Sequence, residues 1–270
     1  NRISTPDVAE RVLASGEAEL VSMARPWRAD PEFIAKTKAG RTGEINVCIA
    51  CNQACLDLIF SERVASCLVN PRAAREVEFA DLDAARAAKP APKRVAVIGG
   101  GAAGLACATT AAARGHKVVL FEAGARIGGQ LNLARNVPGK EEFDETLRYW
   151  RRMIDKHGVE VRLNTRATAE TLAGAFDEIV VATGITPRPP EIEGVRHPKV
   201  VSYTDVLSGK ASVGPRVAII GGGGIGFDVA EFLSSPPPDQ AMDPKHFLAS
   251  WGGDAYMTWP GGLAPPLPAK

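Results

Sequence analysis

One eight-residue pattern occurs twice in this chain of 270 residues, and it constrains the fold more than any other feature. The pattern is Arg-Val-Ala-Val-Ile-Gly-Gly-Gly from Arg94 and Arg-Val-Ala-Ile-Ile-Gly-Gly-Gly from Arg216. Each copy places a short apolar run before three glycines, which predicts a buried strand that ends in a tight turn. The repeat therefore predicts an α/β chain with two Rossmann-like dinucleotide-binding domains. We expect the second domain to be truncated, because the sequence offers no later strands for it.

The first glycine motif is Gly99-x-Gly101-x-x-Gly104, which lies between a predicted strand and a predicted helix. Gly99 permits a tight turn, Gly101 lets the backbone approach a pyrophosphate, and Gly104 lets the helix pack closely on the strand. Glu122 ends the next predicted strand, where an acid binds ribose hydroxyls. The motif predicts a dinucleotide site, and a purely structural turn is the alternative.

The second motif, Gly221-x-Gly223-x-x-Gly226, also follows an apolar run and precedes a predicted helix. The strand that would read the adenine ribose of its ligand is missing from the sequence. Because each unit binds one dinucleotide, the two motifs predict two cofactors, FAD and a nicotinamide nucleotide.

Four of the five cysteines lie within residues 48–67, in the spacing Cys48-x2-Cys51-x3-Cys55-x11-Cys67. Three ligands close together and a fourth apart suit a [4Fe–4S] cubane, whereas zinc ribbons usually supply two separated pairs. A structural zinc site and free thiols are the alternatives. A cluster suits two dinucleotide sites chemically, since a flavin accepts hydride as two electrons and can release them singly. The fifth cysteine, Cys107, is expected to be a small core residue.

The other segments predict the domain order. The first segment reads as helix, strand (residues 19–24) and helix, and these elements alone cannot close a sheet. Residues 81–93 are rich in Ala, Lys and Pro, which predicts a linker. The predicted segments are 1–44, the cysteine segment 45–80, the linker 81–93, the first dinucleotide domain 94–200 and the second 201–270.

Arg25 ends the strand predicted at residues 19–24 and is a candidate phosphate ligand. In (β/α)₈ barrels the loops after the last strands often bind phosphate. Arg2 stands before a predicted helix and could join Arg25. A solvated surface charge is the alternative interpretation.

Composition and charge restrict the partners. Hydrophobic residues make up 45% of the chain and its formal net charge is +1, so no strong field would attract nucleic acid or a membrane surface. No apolar run is long enough to span a membrane. Clustered cysteines indicate a metal site in a reducing compartment, which predicts a cytoplasmic protein. The chain begins at Asn1 and ends in a Pro- and Gly-rich stretch, so we expect both ends to be cut; the sequence does not indicate an oligomeric state.

Six segments have a recognisable combination of residues. They are Ser22-Met-Ala-Arg-Pro26, Glu44-Ile-Asn-Val-Cys-Ile-Ala-Cys-Asn-Gln-Ala-Cys-Leu-Asp57, Ser66-Cys-Leu-Val-Asn-Pro71, Ile127-Gly-Gly-Gln-Leu-Asn132, Pro138-Gly-Lys-Glu-Glu-Phe143 and Gly222-Gly-Gly-Ile-Gly-Phe-Asp228. Together they closely resemble the bacterial NADPH-dependent 2,4-dienoyl-CoA reductases, which are Old Yellow Enzyme-like iron–sulfur flavoproteins. The resemblance covers nearly the whole chain, and the cysteine block is its most specific part.

The resemblance implies the end of an FMN-binding (β/α)₈ barrel over residues 1–44, then a [4Fe–4S] segment and domains for FAD and NADPH. It implies that Arg2, Ala24 and Arg25 bind the FMN phosphate and that the four spaced cysteines bind the cluster. The implied FAD contacts, besides the first glycine motif, are Ala103, Glu122, Gly129, Gln130, Thr183 and Gly184. The implied reaction carries electrons from NADPH through FAD, the cluster and FMN to an acyl-CoA substrate of fatty acid β-oxidation. The acid residues that protonate the substrate in this family are absent from the chain.

Three other interpretations stay open. Amine dehydrogenases of the trimethylamine type share the architecture, but the x3 cysteine gap and Gln130 favour the reductases. Other enoate or flavin-dependent reductases of the same architecture are separated poorly by this segment. The third interpretation is a non-catalytic fragment, and we expect residues 1–270 alone to be inactive.

Overall fold

A computed structural model describes residues 3–80, 91–188, 190–235 and 243–263. The chain forms two compact units, Asn1–Val200 and Val201–Lys270, and each is described here by itself. Arg2 and most of the predicted linker lie outside the described residues.

The N-terminal part of the first unit is helical. Helix α1 (Pro6–Ala14) begins with proline in its first turn, as predicted, because proline fixes a helical φ and needs no N–H partner there. Helices α2 (Arg25–Ala29) and α3 (Phe33–Lys38) follow, then a 3₁₀ turn at Thr42–Glu44. The strand predicted at residues 19–24 is wrong: these residues have no regular secondary structure and pair with no strand in the described part of the chain. A strand needs neighbours for its backbone groups, and the local sequence cannot supply them.

The cysteine segment has little regular structure. A π-helical turn at Gln53–Asp57 runs into helix α4 (Leu58–Phe60). Ala50 and Asn52 both have positive φ, 54° and 59°, so the backbone reverses sharply between the cysteines. The segment is anchored by a small core of buried side chains: Phe33, Ile45 and Val47.

A four-stranded parallel sheet follows and confirms the predicted Rossmann-like unit. Its strands are β1 (Arg94–Ile98), β2 (Lys117–Phe121), β3 (Glu160–Arg162) and β4 (Glu178–Val181), in the order β3-β2-β1-β4. The register pairs Val97 of β1 with Leu120 of β2 and Val180 of β4. The chain therefore leaves β1 toward one side and returns to its other side at β4, which creates a switch point beside β1.

Four helices connect these strands: α5 (Ala102–Ala113), α6 (Leu131–Ala134), α7 (Phe143–His157) and α8 (Ala169–Leu172). Helix α7 ends at Gly158, whose φ of 66° suits glycine best, with acids in its first turn and bases in its last. One core joins α5 and α7 to the sheet, and its buried residues are Val95, Val97, Leu105, Ala108, Val118, Leu120, Ile127, Ile154 and Val159. This core holds the carboxyl ends of the strands in fixed positions.

The second unit contains α9 (Tyr203–Leu207), α10 (Gly224–Ser234), α11 (Pro244–Ser250) and a 3₁₀ turn at Pro260–Gly262. The strand predicted before the second glycine motif does not form: Ile219 and Ile220 are exposed, and no described strand of the unit pairs with them. Helix α11 was not predicted, because the sequence after the second glycine motif is rich in Pro and Gly. Among the described residues of both units, no helix is long and apolar enough to cross a membrane.

Candidate functional site

The first glycine motif forms a sharp turn between β1 and α5. Gly99 has a φ of 111°, and a Cβ there would overlap the carbonyl oxygen of Ala182. A Cβ on Gly104 would overlap the carbonyl oxygen of Gly99, because α5 lies directly on the turn. Gly101 instead has open space beside it, with no atom nearer than 4.0 Å to an added Cβ. Two glycines are thus required for packing, while the third leaves room for a ligand at the helix N-terminus.

Glu122 stands at the carboxyl end of β2 and is held by the backbone. Its Oε2 accepts a 2.7 Å hydrogen bond from the N–H of Gly100, and its Oε1 accepts a 2.6 Å bond from the N–H of Gly124. The half-buried carboxylate is therefore fixed next to the glycine turn and keeps further lone pairs for ligand hydroxyls.

The other implied FAD residues meet at the same edge of the sheet. The N–H of Gly128 donates a 2.7 Å hydrogen bond to the carbonyl of Gly100. A Cβ added to Gly129 would come within 3.0 Å of the Gly101 Cα. Gln130 is exposed in the turn before α6. Two further implied residues, Thr183 and Gly184, follow the end of β4 after one intervening residue, and Ala103 lies exposed in the first turn of α5.

The second glycine turn repeats the first in backbone geometry. Gly221 has a φ of 114°, against 111° for Gly99. Gly223 caps its helix at φ −87° and ψ −178°, against −79° and −176° for Gly101. A Cβ on Gly226 would overlap the carbonyl oxygen of Gly221, as at the first turn. The local sequence therefore folds the turn without a described sheet around it.

The four spaced cysteines line one cavity. Arg25, Arg28 and Asn52 also line this cavity, which is partly open to solvent. All four thiols are partly exposed and form no disulfide. In the described residues, no three Cys, His, Asp or Glu side chains converge closely enough to bind one metal ion. A cubane binds each thiolate at a different iron, so ligands placed around a cavity fit the group.

The Cys67 thiol has the most distinct environment. Burial raises its pKa, and the charges of Cys48 and Cys51 raise it further, while the backbone N–H groups of Val69 and Asn70 lower it. Hydrogen bonds to the sulfurs are among the features that set the reduction potential of an iron–sulfur cluster.

Arg25 lies at the junction of the N-terminal helices and the cysteine cavity. Its Nη1 donates a 2.8 Å hydrogen bond to Oδ1 of Asn52, in the left-handed turn between Cys51 and Cys55. Ala24 precedes α2 directly. The contact with Asn52 could not be predicted from the sequence, which indicated only a phosphate.

A buried carboxylate near the cysteines was also missed. Glu44 Oε2 lies 2.7 Å from Lys156 Nζ and 2.9 Å from Arg41 Nη1, and its Oε1 lies 3.4 Å from Arg152 Nη2. The hydrogen bond from Lys156 is the main cause that lowers the Glu44 pKa from 4.5 to about 2; burial opposes the shift, and Arg41 adds to it. The only local signal that we find is an acid four residues before Cys48, and it does not indicate the distant cations.

The model of the family described as pyridine nucleotide-disulphide oxidoreductase matches residues 93–236. The chain belongs to this family. The matched range includes both glycine motifs.

The relatives of this chain within the family have diverse names. The chain is 42% identical over 242 residues to a "Metal reductase" of Desulforamulus reducens. This match covers 87% of the chain and 35% of the relative. It is 39% identical over 238 residues to an "NADH oxidase" of Thermoanaerobacter brockii, and this match covers 86% of the chain and 36% of the relative. A solved 2-naphthoyl-CoA reductase in complex with 2-naphthoyl-CoA is 40% identical, with a TM-score of 0.80 over 86% of this chain and 35% of that one. The chain therefore spans about a third of the length of these relatives.

Proposed function

We propose that this chain carries the electron-input part of an NADPH-dependent iron–sulfur flavoprotein that reduces 2,4-dienoyl-CoA thioesters. The observation that carries the proposal is the cavity lined by Cys48, Cys51, Cys55 and Cys67, in the same compact unit as a Rossmann-like turn. A chain with both features can bind a two-electron and a one-electron carrier.

FAD is assigned to the first glycine unit. Gly101 leaves open space at the turn, which we assign to the pyrophosphate, and we assign the ribose hydroxyls to the Glu122 carboxylate, which is fixed beside that turn. Gln130, Thr183 and Gly184 lie along the same strand ends, where ligands of open α/β sheets bind. The nicotinamide nucleotide is assigned to the turn of Gly221, Gly223 and Gly226.

The four cavity cysteines are assigned to a [4Fe–4S] cluster. When bound, such a cluster exchanges single electrons, whereas a flavin can accept hydride. The chain's own contribution is to hold the thiols around one cavity, to donate N–H groups to Cys67, and to place two arginines nearby.

FMN and the thioester are assigned by likeness rather than by contacts in this chain. Ala24 and Arg25 match the segment that binds FMN phosphate in the reductases that the sequence resembles. The similarity to the 2-naphthoyl-CoA reductase supports an acyl-CoA substrate, because its solved complex contains a thioester of this kind. The residues that protonate the substrate are expected in a barrel that the chain does not contain.

The test uses the whole gene product, purified without oxygen. We expect about four irons per chain, together with FAD and FMN. NADPH oxidation should depend on added 2,4-dienoyl-CoA, with 2-naphthoyl-CoA and dimethylamine as comparison substrates. Preference for 2-naphthoyl-CoA would retain the thioester class but change the substrate, and turnover of the amine alone would contradict the reductase assignment.

A further inference from the structure

We infer that Glu44 is a positioning residue that fixes the cysteine segment against helix α7 of the FAD-binding domain. The inference rests on the proposed function, since it concerns how the proposed cluster segment is held relative to the proposed FAD unit. The position of the segment matters because electron transfer between two redox centres weakens steeply as they move apart.

The contacts at Glu44 join two distant parts of the chain. The carboxylate is 4% exposed, yet it meets three cations, two of them on α7. On the same helix, Arg148 donates from Nη1 to the carbonyl of Gly43 at 2.6 Å and from Nη2 to the carbonyl of Ile45 at 2.9 Å. Both backbone neighbours of Glu44 are therefore bound by the helix that binds its side chain.

The spacing of the helix residues explains this convergence. Arg148, Arg152 and Lys156 are four residues apart, so they form one basic stripe along α7. Lys156 lies in the last turn, where the helix dipole also favours a cation. The segment around Glu44 receives hydrogen bonds from all three turns of the stripe.

On its other side, the segment is hydrogen-bonded to Asp30 and to Val69, which lies near Cys67. The N–H of Asn46 donates a 2.8 Å bond to Oδ2 of the buried Asp30, which also accepts a 2.7 Å bond from Lys36. Asn46 Nδ2 donates a 2.7 Å bond to the carbonyl of Val69. Val69 is two residues from Cys67. A shift of residues 44–46 would therefore move both the start and the end of the cysteine segment.

A purely stabilising role is the competing explanation. Buried ion pairs often contribute little net stability, because desolvation offsets much of the attraction. They can nevertheless select one arrangement of packed segments, since an alternative arrangement leaves buried charges unpaired. A measurement of position thus separates the two explanations better than a measurement of stability.

The experiment compares Glu44→Gln with Glu160→Gln in the whole gene product. Glu160 is a suitable control, because it forms a 2.7 Å pair with Arg162 and its side chain is 56% exposed. Hydrogen exchange is measured on residues 45–55 and 66–70. Two rates with NADPH are also measured: reduction of ferricyanide, and bleaching of the cluster absorbance. Lys156→Gln and the double variant complete a mutant cycle.

For Glu44→Gln we expect exchange in both cysteine stretches to rise roughly tenfold, because charged hydrogen bonds to a buried group are lost. Cluster bleaching should slow by roughly tenfold, while ferricyanide reduction stays unchanged. Glu160→Gln should match the wild type in all respects. Lys156→Gln should also slow cluster bleaching without changing ferricyanide reduction, but by a smaller factor. The double variant should be little slower than Glu44→Gln alone.

Wild-type exchange and bleaching in a Glu44→Gln protein that retains iron and FAD would overturn the inference. If Glu44→Gln does not fold, Lys156→Gln decides: the split in rates supports the inference, and its absence overturns it. A wild-type protein without iron or FAD contradicts the proposed function instead, and the exchange comparison then still decides whether Glu44 fixes the segment.

Discussion

The guanidinium of Arg25 donates a 2.8 Å hydrogen bond from Nη1 to Oδ1 of Asn52, so a residue before the cysteines is tied to the loop between them. Asn52 has a φ of 59°, a conformation that asparagine tolerates better than most residues. The bond therefore stabilises a turn that directs Cys51 and Cys55 toward one cavity, and it places a cation at the edge of that cavity.

Arg25→Gln is expected to make the reduction potential of the cluster more negative. Adding an electron to the cluster is less favourable without the nearby positive charge, since net charge sets such potentials. A redox titration followed by absorbance measures the shift. Asn52→Gly is the matched control, because it keeps the positive φ and the cation but removes the hydrogen bond. An unchanged potential in Arg25→Gln, with full iron content, would show that the charge is screened.

Gly101→Val and Gly104→Ala are expected to fail in different ways. Gly101 has space for a side chain, so the valine variant should fold normally and lose FAD, because the side chain occupies the pyrophosphate position. Gly104→Ala should destabilise the domain itself by about 1–3 kcal/mol, because the methyl group overlaps the Gly99 carbonyl. Bound flavin and urea unfolding measure the two effects. Retention of FAD by a folded Gly101→Val protein would contradict the assignment.

Cys51→Ala is expected to lose most of the iron, and Cys107→Ala to retain all of it. Cys51 lines the cavity with the other three cysteines, whereas Cys107 packs against the core between α5 and the sheet. A neutral methyl group cannot replace a thiolate ligand. Iron analysis after anaerobic purification compares the two variants, and stoichiometric zinc in place of iron would indicate the structural-site alternative.

The stability that Glu44 contributes is expected to be lost in acid. Its pKa is lowered from 4.5 to about 2 in the folded chain, so its contribution is present above about pH 4.5 and disappears as the pH falls toward 2. Arg41, Arg152 and Lys156 are the cations that face this carboxylate. Urea unfolding at several pH values should show Glu44→Gln and the wild type converging near pH 2. A constant difference between them over this range would contradict the pKa.

Local signals were sufficient for some features and insufficient for others. The glycine turns and the strands β1 and β2 were predicted correctly, because a turn and an apolar run are encoded by adjacent residues. The strands predicted at 19–24 and before Gly221 do not form, since pairing depends on partners elsewhere in the chain. Glu44 was missed for the same reason: its cations on α7 lie about a hundred residues away, a separation that no motif spans.

The near-identity of the two glycine turns has a consequence for engineering cofactor preference. Since Gly99 and Gly221 differ by only 3° in φ (111° and 114°), the turns themselves carry no information that distinguishes one dinucleotide from the other. Exchanging the two motifs should therefore leave each unit with its own ligand. A redesign of nicotinamide specificity would have to alter the residues around the turn. In the first unit, Glu122 and Gln130 are examples of such residues, and the glycine turns themselves can be left unchanged.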